Sequence, residues 1–289
     1  MRILHFFFKV ILVTVFLPLR LSAADLSFDA KYDVYWKGLR VFTAEAQTAI
    51  ANERYESGMQ FWPVGLLALW VDGRSEVNAS GFIRPDGAVN AQHYRVEGKW
   101  DGDKSYREIR FDNAGSVTDI KLALPEEWTA DDPRLPIPDG VAIGPDPLSM
   151  LMAIVKQPWK RDDYTKPFDI TFIDGRTVSR FTMKCDFDLD RMKSKEGRTD
   201  YNGEATRCTA KIKLIGGFVD ESKLSNKALK KLEKRRAKVE KKRAKPKKED
   251  SLQIWFQYFV AEDLMMPVRA KLRTDRGKVT VYLAKFSSK

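Results

Sequence analysis

The sequence predicts an all-β fold, namely an antiparallel barrel, half-barrel or β-spiral with one short buried helix and a basic helical insert. Three observations predict it. Apolar and polar residues alternate in about a dozen short segments. Turn sequences rich in Gly, Asp, Asn and Pro separate these segments, and helical patterns are confined to two places. Residues 25–289 are therefore expected to form a single β-rich domain.

The first predicted strand shows the alternation most clearly. Every second residue from Ala30 to Trp36 is apolar, mostly with polar residues between them, and Gly38 then marks a turn. Later turns include Asp101-Gly102-Asp103 and Asn113-Ala114-Gly115. The other predicted strands comprise residues 41–50, 75–83, 92–100, 105–112, 117–122, 168–173, 177–185, 205–214, 252–260, 266–273 and 278–286.

One core helix is predicted after a Pro-rich stretch. Asp146 suits the N-cap position and Pro147 the first helical position. Residues 148–155 are apolar nearly all round, which predicts a buried helix. Such a helix either plugs the core of a curved sheet or acts as a movable lid over a ligand cavity.

Residues 1–24 have the features of a secretory signal peptide. Arg2 and Lys9 precede a short apolar run that ends at Leu19, and the small residues Ser22–Ala24 follow it. A membrane-spanning helix needs roughly 20 apolar residues, so a cleaved signal peptide is favoured over a retained anchor. We therefore expect a periplasmic protein.

The exported part contains two cysteines, Cys185 and Cys208. In an oxidising compartment such a pair usually forms a disulfide. The cysteines lie in two predicted strands joined by a polar loop, and a hairpin would place them opposite each other. They lack the close CxxC spacing of redox-active pairs, which favours a structural disulfide.

The net charge of +11 is concentrated in one segment. Residues 223–248 contain 14 Lys or Arg and 2 Glu, whereas the remainder of the mature chain is mildly acidic. This insert is expected to be helical from Ser225, and its role is either that of a solvated arm or attachment to an anionic envelope surface. Export argues against nucleic acid as a partner. The residues expected to contact such a surface are Lys230, Lys231, Lys234, Arg235, Arg236, Lys241, Lys242 and Arg243.

Segment 61–71 is the most apolar stretch after the signal peptide. It is expected to be a buried turn and strand. Alternatively, its tryptophans and leucines line a lipid-sized pocket or touch a membrane interface. The residues of the possible apolar ligand site are Phe61, Trp62, Leu66, Leu67, Trp70, Leu148, Leu151 and Ile154.

The inventory of reactive residues argues against an enzyme. His93 is the one histidine outside the signal peptide, and GxSxG, HExxH and P-loop motifs are missing from the sequence. Asp186, Asp188 and Asp190 share a strand face, but they lack the Gly and Glu of an EF-hand loop, which favours a solvated face over a calcium site. We predict no catalytic residues, metal or cofactor.

The order of several motifs resembles that of DUF3108, an exported bacterial family of unknown function. The resemblance runs from about Ala30 to Phe286, and the basic insert departs from it by its length and charge. It implies a periplasmic β protein and supplies no site residues. The matching motifs are Tyr32-Asp33-Val34-Tyr35-Trp36-Lys37-Gly38-Leu39-Arg40, Asp146-Pro147-Leu148-Ser149, Asp174-Gly175-Arg176, Ala205-Thr206-Arg207-Cys208 ahead of Gly216-Gly217-Phe218, and Met266-Pro267-Val268-Arg269.

Two functions remain open from the sequence. The first is a non-enzymatic envelope protein that supports envelope integrity by binding an unknown envelope protein or lipid. The alternative is a periplasmic carrier of lipids or lipoproteins with an apolar cavity. A side-chain-filled interior would favour the first, and a pocket of several hundred Å³ lined by apolar side chains would favour the second.

Overall fold

A computed structural model describes most of the chain after the predicted signal peptide, which lies outside the described residues. The described residues are 26–138, 140–156, 167–193, 198–199, 201–226, 229–230, 232–234, 237, 252–274 and 277–289.

The described chain consists mainly of β-strands. Two α-helices, α1 (Glu126–Asp131) and α2 (Pro147–Lys156), lie between the seventh and eighth strands, and a 3-10 helix (Gly65–Leu69) lies between the third and fourth. The strands are β1 Leu26–Trp36, β2 Leu39–Ala51, β3 Arg54–Pro63, β4 Gly73–Ile83, β5 Val89–Trp100, β6 Asp103–Phe111, β7 Val117–Ala123, β8 Phe168–Ile173, β9 Val178–Met192, β10 Gly203–Gly216, β11 Leu252–Phe259, β12 Leu264–Thr274 and β13 Gly277–Ser288.

All of these strands belong to one antiparallel sheet. The order is β7-β6-β5-β4-β3-β2-β1-β13-β12-β11-β10-β9-β8, so the first and last strands pair at its centre. Helix α2 packs against β4 and β5 on one side and against β8 and β12 on the other. The sheet therefore curls around α2, which lies on its concave face.

The sheet is not closed, because its edge strands β7 and β8 do not pair. The connection between them partly bridges the gap. Ile143 forms an isolated bridge with Ser116, ahead of β7, and the Ile173 amide of β8 donates to the Pro145 carbonyl at 3.0 Å. Arg107 of β6 and Asp174 of the β8–β9 turn also approach to 3.7 Å. The predicted all-β fold, an antiparallel barrel, half-barrel or β-spiral with one short buried helix and a basic helical insert, is confirmed, and its sheet is open.

One predicted strand face is more complex than simple alternation suggests. Ala30 is buried against the interior as expected, but Asp33 and Tyr35 on the opposite face are also buried. Asp33 accepts hydrogen bonds from Thr43 at 2.7 Å and from Arg40 at 3.2 Å. These hydrogen bonds from Thr43 and Arg40 compensate for the burial of the Asp33 carboxylate on the convex face of the sheet.

Strand β3 was not predicted. The expectation that segment 61–71 is a buried turn and strand is wrong, because β3 ends at Pro63 and the 3-10 helix that follows has no buried residue. Gly58 and Gln60 interrupt the apolar pattern of β3. Backbone pairing with β2, from Phe42↔Pro63 to Ala51↔Arg54, therefore stabilises this strand, which the residue pattern alone does not predict.

The basic insert begins as predicted. Its described residues 226, 229–230, 232–234 and 237 are helical, and the Leu229 amide donates to the Ser225 carbonyl at 2.9 Å. None of the helices in the described ranges has the length and hydropathy that a membrane span requires.

Candidate functional site

An apolar cavity of about 380 Å³ lies between α2 and the concave face of the sheet. This volume falls within the roughly 300–1,000 Å³ typical of small-molecule sites. Most of the wall is aliphatic or aromatic. The lining residues are Phe28, Ala30, Tyr32, Val34, Ala44, Ala46, Thr48, Ser57, Met59, Leu148, Met150, Leu151, Met152, Ile154, Val155, Phe181, Ile212, Leu252, Ile254, Phe256, Met266, Pro267, Arg269, Ala270 and Val281.

Small side chains on adjacent strands account for the cavity. Ala30 of β1 and Ala46 of β2 are direct cross-strand partners, and Ala44 lies opposite Tyr32. On the other side of β1, Ala270 of β12 also lines the space. Protein interiors are normally filled to close-packed density. A row of alanines opposite a helix therefore leaves room that α2 does not occupy.

Helix α2 is fixed at its first turn by a buried hydrogen-bond network. The carboxylate of Asp146 accepts the backbone amides of Leu148 and Ser149, each at 2.9 Å. The Ser149 hydroxyl donates to Asp146 and accepts the Tyr55 hydroxyl of β3 at 2.5 Å. This network satisfies the open amides of the helix start and ties α2 to the sheet. The predicted N-cap is confirmed.

The surroundings of Asp146 change its acidity. Complete burial raises the pKa of this carboxyl to about 6, although the hydrogen bonds from Ser149 and from the Leu148 amide act in the opposite direction. Burial, together with the nearby Asp146 charge, also raises the pKa of Tyr55. Desolvation therefore outweighs the stabilisation of the carboxylate by its donors.

The remainder of α2 joins the apolar clusters of the core. Leu148 and Met152 pack with the β3–β6 cluster around Tyr55, whereas Val155 packs with Phe28 of the central strands. Met150 and Ile154 belong to the cluster around β9 and β10. Because the helix is apolar nearly all round, it can pack against several of these clusters at once. This placement agrees with the predicted burial of residues 148–155 except at Leu151, which is exposed.

The exposed wall residues mark where the cavity meets solvent. Ile212 of β10 faces the cavity yet is 58% exposed, and Leu151 of α2 is 40% exposed. The other α2 wall residues, such as Ile154 at 2%, are buried. A ligand with an apolar chain and a polar end could thus keep the polar end in water at this mouth.

The predicted disulfide forms beside the cavity. Cys185 of β9 and Cys208 of β10 are register partners and are bonded to each other. Both are buried in the same cluster as Met150 and Ile154 of α2. The disulfide therefore joins two strands that support one wall of the cavity.

The structure separates the predicted apolar site into two parts. Leu148, Leu151 and Ile154 line the cavity, but the members from segment 61–71 do not. Phe61 packs against Trp100, and Arg74 lies over Trp62. The other three, Leu66, Leu67 and Trp70, lie at the 3-10 helix, which has no buried residue. The expectation that segment 61–71 joins α2 in one pocket is therefore wrong, because the β3–β4 connection lies at an end of the sheet.

Most of the cavity wall comes from strand residues that the sequence analysis did not assign to the site. The one-sided series Ala30, Tyr32 and Val34 was identified as a strand face, but nothing indicated that it borders a cavity. The alternation of small residues in β2, at Ala44 and Ala46, was the available signal. Recognising it requires knowing that β1 and β2 are neighbours.

The predicted surface-contact residues are only partly described. Lys230 and Lys234 are exposed on helical residues of the insert, whereas Lys231, Arg235, Arg236, Lys241, Lys242 and Arg243 lie outside the described residues.

His93 takes part in a polar cluster on β5 and β6. Its Nε2 lies 2.9 Å from the Glu108 carboxylate, which also accepts from the Tyr106 hydroxyl at 3.0 Å and from Arg110. Hydrogen bonds from His93, Tyr106 and Arg110 lower the pKa of Glu108 to about 2. These contacts place His93 in a polar side-chain network on the sheet.

The aspartates considered for calcium are engaged by cationic and indole groups. Arg207 contacts Asp186 at 2.7 Å and Asp190 at 3.6 Å, and the Trp255 indole donates to Asp190 at 2.7 Å. The side chain of Asp188 lies outside the described residues. Within the described ranges, no three His, Cys, Asp or Glu residues are grouped as metal ligands.

Comparison with known proteins adds one structural likeness. No family model matches the chain, and no curated protein matches it. The crystal structure of a beta-barrel-like protein of domain of unknown function DUF1849 from Brucella abortus is similar over 91% of this chain and 98% of that chain, with 10% sequence identity and a TM-score of 0.42. The resemblance to DUF3108 stays a prediction.

Proposed function

We propose that the protein is an exported, non-catalytic envelope protein that carries a lipid or a lipid-modified protein by enclosing an acyl chain beneath α2. The observation that carries this proposal is the cavity of about 380 Å³ with a largely apolar wall. Of the two functions left open by the sequence, a factor acting through surface contacts alone does not need such a space. The cavity therefore favours the carrier.

The wall chemistry indicates which part of a lipid would enter. Transfer of one methylene group from water to an apolar site contributes about 0.8 kcal/mol, so affinity should rise about fourfold with each added methylene. A charged headgroup has few partners among the lining residues, where Arg269 is the only charged side chain. The chain would thus lie inside and the headgroup at the mouth near Leu151 and Ile212.

Two features support an envelope location. Residues 1–24 have the pattern of a signal peptide, and the Cys185–Cys208 disulfide suits an oxidising compartment. Cell fractionation and the intact mass of the exported chain test this part. A periplasmic chain that begins near residue 24 or 25 is expected, and a reduced, cytoplasmic chain that retains residues 1–24 would contradict it.

The lipid is tested by mass spectrometry of organic extracts from exported protein purified without detergent. Ala46→Phe places a large ring in the cavity, and Ala49→Phe is its matched control because Ala49 is exposed on the same strand. We expect an acyl lipid in the wild type and in the control, and a strongly reduced amount in Ala46→Phe.

Two results would contradict the carrier. One is equal lipid in all three proteins. The other is a clean wild-type extract combined with failure of the same protein to bind added fatty acid.

A further inference from the structure

The connection between β3 and β4 forms an exposed apolar tip, defined here as residues 64–71. Leu66, Leu69 and Trp70 are exposed to 64%, 75% and 83% of their surface. The residues of the tip are uncharged, and its 3-10 helix has no buried residue. Single exposed apolar residues are common, but a continuous exposed cluster marks an interaction site.

Backbone contacts hold the tip in this conformation. The Val64 amide donates to the Val41 carbonyl of β2 at 2.9 Å, and the Trp70 amide donates to Leu67 at 3.0 Å. Gly65 has φ +63°, and a Cβ there would lie 2.8 Å from the Arg40 carbonyl oxygen, so the chain passes directly over β2. The exposed side chains are therefore presented by a defined structure.

The neighbouring β1–β2 turn extends the apolar surface and adds positive charge. Trp36 and Leu39 are also exposed, and Lys37 lies over the Trp36 ring at 4.7 Å. The Lys37 amide donates to the Lys278 carbonyl at 3.0 Å, which brings the β12–β13 hairpin alongside. Among the described residues at this end, basic ones outnumber acidic ones. The basic residues are Lys37, Arg40, Arg74, Lys99, Lys104, Arg273 and Lys278, and the acidic ones are Asp33, Asp72, Asp101 and Asp103.

We propose that the tip docks on the surface of an anionic lipid bilayer. Trp is favoured at the bilayer interface, leucines insert into the acyl boundary, and Lys and Arg pair with acidic headgroups. The apolar apex therefore matches the acyl boundary of the bilayer, and the surrounding cations match its anionic headgroups. This complementarity favours a bilayer over a protein partner.

Docking here would also bring the cavity close to the membrane. Val34 lines the cavity two residues before Trp36, and its register partner Val281 lines it from β13. The proposal goes beyond the carrier function and does not depend on it, because docking requires no bound lipid.

The test is flotation of the intact exported protein with vesicles of phosphatidylglycerol and phosphatidylcholine in equal parts. The variant Leu66→Ser/Leu69→Ser/Trp70→Ser removes the apolar apex. Val260→Ser is the matched control, because Val260 is 77% exposed but lies in the β11–β12 turn, away from β3–β4. We expect the triple variant to bind at least about tenfold more weakly and the control to bind like the wild type.

Fluorescence identifies the inserting residue. Vesicles should shift tryptophan emission of the wild type to shorter wavelength, and Trp70→Phe should remove most of this shift while retaining flotation. Equal flotation of the wild type and the triple variant would overturn the proposal. It would also be overturned if the wild type formed a dimer that the triple variant did not, with no vesicle binding, since a second copy would then cover the tip.

Discussion

Helix α2 and the β3–β4 tip are both apolar in sequence, but α2 is buried in the fold and the tip is exposed. In each, a short run of apolar residues follows a proline, Pro147 in one case and Pro63 in the other. Seven of the ten residues of α2 are buried, whereas the 3-10 helix of the tip has none. Hydrophobicity alone therefore does not determine whether a segment of this protein enters the core.

The difference follows from where each segment is attached. Helix α2 lies in the connection between the two edge strands, β7 and β8, and this connection crosses the open side of the curved sheet. Asp146 and Tyr55 then fix its start to the sheet. The tip joins adjacent strands β3 and β4 at an end of the sheet, where no second layer is described.

The largest contrast is expected from truncating one side chain in each segment. Ile154→Ala should lower the free energy of unfolding by about 4 kcal/mol, because Ile154 is buried and belongs to the cluster that joins α2 to β9 and β10. Leu69→Ala should change it by less than about 0.5 kcal/mol. Urea unfolding of both variants measures this, and similar losses would contradict the assigned burial.

Removing the disulfide beside α2 should have the next largest effect. The double variant Cys185→Ala/Cys208→Ala frees a loop with a sequence separation of 23 residues, which corresponds to about 3 kcal/mol on the chain-entropy model. Unfolding of the wild type with and without reductant provides a second measurement. Unchanged stability in both would show that the cross-link does not constrain the unfolded chain.

The anchoring of α2 should make stability depend on pH. The pKa of Asp146 is about 6 in the folded protein and 3.8 ordinarily, so between these values the folded state holds a proton that the unfolded state has released. Stability should therefore fall by about 2 kcal/mol as pH rises from about 4 to about 6, and stay lower above that.

Thermal melts of the wild type and Asp146→Asn across this range isolate the contribution of Asp146. The variant keeps an acceptor for the helix amides but cannot ionise, so the difference in stability between the two proteins should change with pH. A difference that stays constant would show that Asp146 does not titrate there.

The smallest effect on stability is expected from the basic insert. Replacing residues 223–248 by a Gly/Ser linker should change the free energy of unfolding by less than about 0.5 kcal/mol, since its described lysines are exposed. Binding to anionic vesicles should weaken and become less sensitive to salt. If replacing the insert left vesicle binding unchanged, the insert would make no contribution to membrane attachment, and the tip would account for it.

Local features of the sequence predicted much of the fold. The alternation from Ala30 to Trp36, the cysteine pair, and the Asp146-Pro147 start of α2 each depend on neighbours in the chain or on one hairpin. Strand β3 was missed because its polar and glycine positions, such as Gly58 and Gln60, become strand-like only through pairing with β2 and β4.

The candidate site was predictable only in part. The α2 residues Leu148, Leu151 and Ile154 were identified because a helix that is apolar all round must be buried. The alanines that create the space, Ala30 and Ala46, give no signal alone, since the cavity arises from their register across β1 and β2.

Titration of delipidated protein with saturated fatty acids of increasing chain length tests the central claim most directly. We predict a dissociation constant that falls about fourfold for each added methylene until the cavity is full. Ala46→Phe should reach this plateau at a shorter chain, whereas Ala49→Phe should behave like the wild type. A dissociation constant independent of chain length, or no saturable binding, would contradict the account.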